Sequence, residues 1–278
     1  MAKTKKIPSS TSAPSLNRYS QIIEHIFRSR YKKGASKVEF SREEIVDAAK
    51  KLKIALPKNL GDVLYSFRYR GQLPKTILDC APKGKDWVIL PAGRSQYAFV
   101  ASMLSSIVPS QSLATTKVPD STPGIIFMYA LSDEQALLAK LRYNRLVDIF
   151  IGISAFSLQS HLRTSIPNMG QVETDEIYIG IDKRGAHYVF PVQAKGGKDN
   201  LSVVQIGQDF ALCADKFPKL ICYPIAAQFM EEGKIALFAF EKAGDEIKVL
   251  REKHYQLVSP NQISAADLQR YQERPLEE

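Results

Sequence analysis

Cysteine and histidine are scarce in this 278-residue chain: three cysteines (Cys80, Cys213, Cys222) and four histidines (His25, His161, His187, His254), with no CxxC or HxxxH spacing among them. That scarcity speaks against a zinc site and a disulfide framework, and an odd, sparse cysteine set fits a reducing compartment where the thiols serve as small buried hydrophobes. Long apolar runs are missing too. The longest, Leu146 to Phe156, carries Asp148 inside it and falls short of the ~20 residues a bilayer span needs. Residues 1–16 are basic and Ser/Pro-rich without an apolar segment, so they read as a flexible tail and not a secretion signal, and the expected location is cytoplasmic. No repeat of solenoid length is visible. What is present, 45% hydrophobic and 24% charged residues, is the composition of a folded globular protein. At the usual domain size of ~150 residues the length favours two domains.

Charge is divided unevenly. Residues 1–100 hold 20 Lys+Arg against 8 Asp+Glu, a net +12, and the remainder holds 18 against 21, a net −3. A basic module on a near-neutral chain is the footprint of a protein that meets a polyanion, DNA or RNA first among them.

Pattern sharpens this expectation. Asn17 to Tyr31 places Ile22, Ile23, Ile26 and Phe27 at helical spacing. Ser41 and Glu44 form a capping box ahead of a second helix with Ile45, Ala48, Ala49 and Leu52 on its apolar stripe. A third helix runs to about Phe67 with Leu60, Val63 and Leu64 inward and Tyr65, Arg68 and Arg70 on or just beyond its outer face. Short strands follow at Trp87 to Leu90 and Gln96 to Val100. Three helices and a two-stranded wing over residues 17–100 resemble the winged helix-turn-helix family. In that family the third helix enters the major groove, which makes Tyr65, Arg68, Arg70 and nearby Lys75 the candidate DNA contacts. The winged-helix domain is thus expected over 17–102, followed by a Ser/Thr/Pro-rich linker at 103–124 and a second domain over 125–278.

In the second domain a helix from Ser132 through Phe150 is expected, with further helix to about Leu162. Glu176 to Asp182 then reads as a strand with Glu173 and Asp175 at its head, the segment around Gly185 as a turn, His187 to Lys195 as a second strand, and a helix begins near Leu201. Glu173 and Asp175, two apart in an extended strand, project to one face, as do Gln193 and Lys195; Glu176 points to the other unless a bulge intervenes. If the strands pair, carboxylates, a carboxamide and an ammonium converge at one end of the sheet, a plausible Mg²⁺ site. Gln205 and Gln208 on the following helix read as surface residues, with lining of the phosphate path as the alternative, and His161 and Arg163, just before the first acidic motif, are candidate contacts to the DNA backbone.

This arrangement resembles the PD-(D/E)xK nuclease superfamily, with Glu173-Thr-Asp175 in the place of the first acidic motif and Gln193-Ala-Lys195 in that of the (D/E)xK tripeptide. The resemblance implies a mixed-sheet α/β restriction-endonuclease-like fold, Asp175, Gln193 and Lys195 as catalytic residues, and metal held by Asp175, Glu173 and Gln193, with Glu176 ranked below. It also implies an Mg²⁺-dependent, sequence-specific endonuclease of type II restriction kind, acting on double-stranded DNA as a homodimer, with a cognate methyltransferase as a possible partner in the same host. The alternatives are a winged-helix transcription regulator with a non-catalytic α/β domain, and a structure-specific repair nuclease or resolvase.

Overall fold

The computed structural model describes residues 17–275 apart from 71, 105, 130–133, 168, 197, 198, 200 and 245. Its first part is α1 (Arg18–Arg30), β1 (Lys37–Ser41), α2 (Arg42–Leu52), α3 (Gly61–Tyr65) continued by a π-helical turn (Ser66–Arg70), α4 (Lys75–Leu78), β2 (Asp86–Gly93) and β3 (Gln96–Ser102). Asn17 caps α1, its side chain accepting from the amides of Tyr19 and Ser20, and the Ser41/Glu44 capping box starts α2 as its sequence demands. The strands form an antiparallel sheet in the order β1-β3-β2. One sheet face, with Trp87, Ile89 and Phe99, closes a core with Ile22, Ile26, Phe27, Ile45, Val63 and Ile77 from the helices.

The other face of that sheet is buried as well. Val88, Leu90 and Val100 pack on Val203, Val204 and Ile247 of the second part, Ser202 Oγ donates to the Arg68 carbonyl at 2.9 Å, and Lys85 pairs with Glu246 at 2.9 Å. The first part is therefore docked by its sheet and by the π-turn, not tethered alone.

The second part comprises β4 (Ser106–Ile107), β5 (Thr115–Pro119), α5 (Gly124–Tyr129), α6 (Glu134–Tyr143), α7 (Leu146–Ile151), β6 (Ser154–Ile166), β7 (Gly170–Ile181), β8 (His187–Lys195), β9 (Leu201–Ser202), α8 (Val203–Lys216), β10 (Ile221–Cys222), β11 (Ile225–Phe229), β12 (Lys234–Ala243), β13 (Glu246–Val258) and α9 (Ala265–Gln272). An eight-stranded mixed sheet carries it, in the order β5-β13-β12-β11-β8-β7-β6 with β10 beside β8. β6, β7 and β8 run antiparallel in sequence; α8 then crosses over, and β11 returns parallel to β8. α6 and α7 cover one face through Leu137, Leu138, Leu141, Val147 and Phe150 against Phe190, Val192, Ala194 and Leu237. α8 covers the other, with Ile206 against Ala226 and Phe238 and Leu212 against Ile177 and Val189. Central β8 reads as a continuous apolar run because both its faces are covered.

Three expectations need correction. The helix expected to continue to Leu162 stops at Gly152, which takes a left-handed φ of +71° and closes α7; residues 154–166 are instead the long strand β6. The stretch expected as linker supplies β4 and β5, the latter pairing in parallel with β13, because backbone hydrogen bonding to a sheet edge needs no apolar period. The first part also contains β1, which the sequence reading did not separate from its flanking glycine break and helix cap.

Gly180 marks the tightest approach in the sheet: a Cβ there would meet a Phe190 ring carbon at 2.7 Å and the Ser154 carbonyl at 2.9 Å. The carbonyl belongs to the paired β6 backbone and cannot move cheaply. Gly180→Ala is expected to cost about 1–3 kcal/mol in urea unfolding, and unchanged stability would contradict this packing.

Candidate functional site

The site forms where β8 ends. Lys195, the last residue of that strand, is only 16% exposed, and its ammonium lies 2.7 Å from Oε1 of Glu134, the first residue of α6. A charge so far from water requires a counter-charge. Asp175 of β7 completes the group: its Oδ2 accepts the Ala194 amide at 2.8 Å, and its ionisation is influenced by Lys195, Glu134 and His161. Burial raises the Asp175 carboxyl above its ordinary value, against the lowering effects of the Ala194 hydrogen bond and the charges of Lys195 and His161; Glu134 adds to the rise.

Gln193 stands behind this group. Its Nε2 donates to both carboxylate oxygens of Asp209 on α8, at 3.0 and 3.1 Å, and to the Glu173 carbonyl at 3.2 Å; its Oε1 accepts from Gln205 Nε2 at 3.2 Å. The carboxamide expected to ligate a metal is thus a brace joining β7, β8 and α8. Asp209 is fully buried, and burial first of all holds its carboxyl well above the ordinary range; Gln193 works against that shift, Asp175 adds to it, and Thr174 opposes it. Gln205 and Gln208, expected at the surface, are half-buried and buried respectively. Their helix is amphipathic with this side turned toward the sheet, which two glutamines conceal in the sequence.

The other expected residues separate. Glu176 is withdrawn from the metal set: it is wholly buried and bound by Arg142 of α6 at 2.9 Å, with Ser157 also donating to it. β7 thus sends Glu176 and Asp175 into two distinct charge systems, as strand alternation requires. Glu173 is exposed and paired with Arg163 at 3.1 Å. His161 is exposed, and its Nε2 lies 2.9 Å from Gln135 Nε2. It carries φ of +51° within β6, a conformation that costs on the order of 1–3 kcal/mol and persists only where its surroundings impose it.

On the first part, Tyr65 is 49% exposed and Lys75 is exposed at the start of α4. Arg68 differs from expectation: it is half-buried, with Nε and Nη2 closed off from solvent and its carbonyl bound by Ser202. It lies in the π-turn, whose backbone meets the second part at Ser202. The Arg70 side chain lies outside the described residues.

Among the described residues no group of three or more His, Cys, Asp or Glu side chains is disposed to hold a metal ion. The donor chemistry nevertheless fits Mg²⁺, which takes oxygen ligands, keeps several waters and is commonly held by one or two carboxylates with substrate phosphate; Asp175 and Glu134 supply two. Glu134 escaped the sequence reading because it sits some forty residues upstream, where only the topology brings α6 over the end of β8. No helix among the described residues is long and apolar enough to cross a membrane. No protein-family model, curated protein or solved structure matches this chain.

The raised Asp175 carboxyl carries a stability sign. Above the raised value the buried charge disfavours folding; as pH falls through that value toward the ordinary one the penalty fades, and below the ordinary value both states are protonated and it is gone. Asp175→Asn in EDTA is therefore expected to unfold at a higher temperature than the parent at pH 7, with the advantage vanishing in acid. A variant less stable at pH 7 would contradict the burial of this charge.

Proposed function

We propose that this protein is a metal-dependent DNA endonuclease whose catalytic group is Asp175, Glu134 and Lys195, with a winged-helix module that holds the DNA. The observation that carries the reading is Lys195, an ammonium nearly removed from water at the end of a buried strand, with Glu134 and Asp175 as its charged neighbours. A transcription regulator has no use for that arrangement. Supporting it is the connectivity helix, three antiparallel strands, crossover helix, parallel strand, which places the group at the carboxyl ends of the parallel pair β8 and β11, where ligands gather in α/β sheets. Both features agree with the PD-(D/E)xK resemblance, with Gln193 serving as brace in place of a second acid.

Asp175 and Glu134 would hold Mg²⁺, which when bound polarises the scissile phosphate and lowers the pKa of a bound water. Lys195 would donate to the phosphate oxygens or the attacking water and stabilise charge as it develops. Gln193, Asp209 and Gln205 keep β7, β8 and α8 in fixed relation while this happens. The first part contributes affinity: its helices and three-stranded sheet occur in winged-helix order, and the +12 charge of residues 1–100 suits a phosphate backbone. Tyr65 and Lys75 are exposed on the first part, whereas the Arg68 carbonyl links it to the start of α8. Cutting both strands with one site per chain calls for two chains, so we propose a homodimer on double-stranded DNA.

The test is incubation with a long, sequence-rich linear DNA and Mg²⁺, with EDTA and Lys195→Ala as controls. Discrete fragments lost in both controls are expected, with Lys195→Ala slowed by at least about 100-fold while its DNA affinity stays within severalfold of the parent. Intact DNA bound tightly would replace this reading with the regulator, and a smear or cutting confined to branched DNA would replace sequence specificity with a structure-directed activity.

A further inference from the structure

β11 runs in parallel beside β8, and the last pair of their ladder sets Gln228 next to Lys195. Register partners on adjacent strands stand ~4.8 Å apart and leave the sheet on the same face. Two positions earlier the same alternation is visible: Gln193 bonds Asp209 of α8, and its partner Ala226 packs with Ile206 of that helix. Gln228 and Lys195 therefore lie side by side at the carboxyl end of the parallel pair. Gln228 is only 7% exposed. Its Nε2 donates to the Asp199 carbonyl at 3.0 Å, in the turn after Lys195 where the Asp199 amide donates to the Gly196 carbonyl at 3.1 Å. That bond decides which end of the carboxamide is left over. It is Oε1, which is buried and has no hydrogen-bond partner among the described residues. A buried carbonyl left unpaired costs free energy, so such an atom calls for a donor. Lys195 presents the reverse case: its ammonium carries three donors, and Glu134 accepts from it at 2.7 Å.

We infer that Gln228 is a positioning residue for the proposed hydrolysis: with DNA bound, its Oε1 accepts an N–H of the Lys195 ammonium and thereby aims another at the phosphate. This rests on the nuclease reading above. A lysine ammonium is a point charge on a flexible four-carbon stem, so a single partner leaves its direction open. An acceptor on the adjoining strand fixes that direction, and a donor fixed beforehand needs no reorientation as charge develops. The residue type fits the task. A carboxamide has two ends, and here the NH₂ fastens the turn at 196–199 to β11 while the oxygen stays open toward the lysine. A position with packing alone to satisfy would be apolar, as the neighbouring Ala226 and Ala227 are.

Two substitutions separate this role from a purely structural one. Gln228→Met keeps the length and removes both polar ends; Gln228→Glu keeps an acceptor and removes the donor to Asp199. Each is made in the parent and in Lys195→Ala, and the cleavage rate of the long linear DNA with Mg²⁺ is measured at saturating DNA with enzyme in excess. In the parent, Gln228→Met is expected to lower that rate about tenfold or more while DNA affinity stays within about twofold. Gln228→Glu should recover to within about threefold of the parent rate. In the Lys195→Ala background Gln228→Met should cost less than about twofold further, because residues that act through one another do not add. An equal loss from Gln228→Met in both backgrounds, or Gln228→Glu as slow as Gln228→Met, would reduce Gln228 to a brace for the turn and overturn the inference. So would the absence of any loss, and the nuclease reading would stand in each of these cases. A parent protein that leaves the DNA intact would overturn both.

Discussion

The ammonium of Lys195 governs the second part of this molecule. β8 is covered on both faces from Val189 to Ala194 and apolar there apart from Gln193, and its terminal lysine is only 16% exposed, so the charge in that position is stabilised by an opposite one beside it. Glu134 meets it, which requires α6 to start over the end of β8. The Leu137, Leu138 and Leu141 face of α6 then seals that side of the sheet. On the other side α8 brings Asp209 against Gln193, leaving half-buried Asp175 and buried Asp209 as neighbouring carboxyls whose charges disfavour one another. A site that gathers carboxyls and disfavours their ionisation is one that a divalent cation would stabilise. The neighbouring Glu176 does not share in this, because Arg142 already neutralises it.

α8 also connects the two parts. Its first turn packs Val203 and Val204 against the sheet of the first part, while Gln205, in the same turn, reaches Gln193. The residue capping that helix, Ser202, bonds the π-turn that ends the third helix of the first part. Under the proposed function, the first part, seated on the helix that braces β7 and β8, would present DNA in a fixed orientation, without a long tether to be ordered on binding.

Much of this was legible in the sequence where the signal was local. The capping box at Ser41 and Glu44, the paired strands around Gly185, and the position of Asp175 and Lys195 at one end of them all follow from spacing within a dozen residues or so. What escaped depended on distant partners. Glu134 looks like any acidic residue at a helix start until the fold places it on Lys195. Glu176 differs from Asp175 by one position, and only Arg142 decides its role. Gln205 and Gln208 appear as surface polar residues because their helix buries carboxamides as well as apolar groups. Arg68 was assigned outward on regular helical geometry, which the π-turn at 66–70 breaks. The strand β6 resembled a helix because an edge strand exposed at consecutive residues from Phe156 to His161 shows no period-2 alternation.

The most direct test of the central claim is the position of a bound cation in crystals of the protein with Mn²⁺ and DNA, read from the anomalous signal. A peak within ligand distance of both Asp175 and Glu134, with Lys195 moved off Glu134 toward a phosphate, is the expected result. A site that stays empty at saturating Mn²⁺, with the Lys195–Glu134 pair intact beside bound DNA, would contradict the claim and leave that pair as structural.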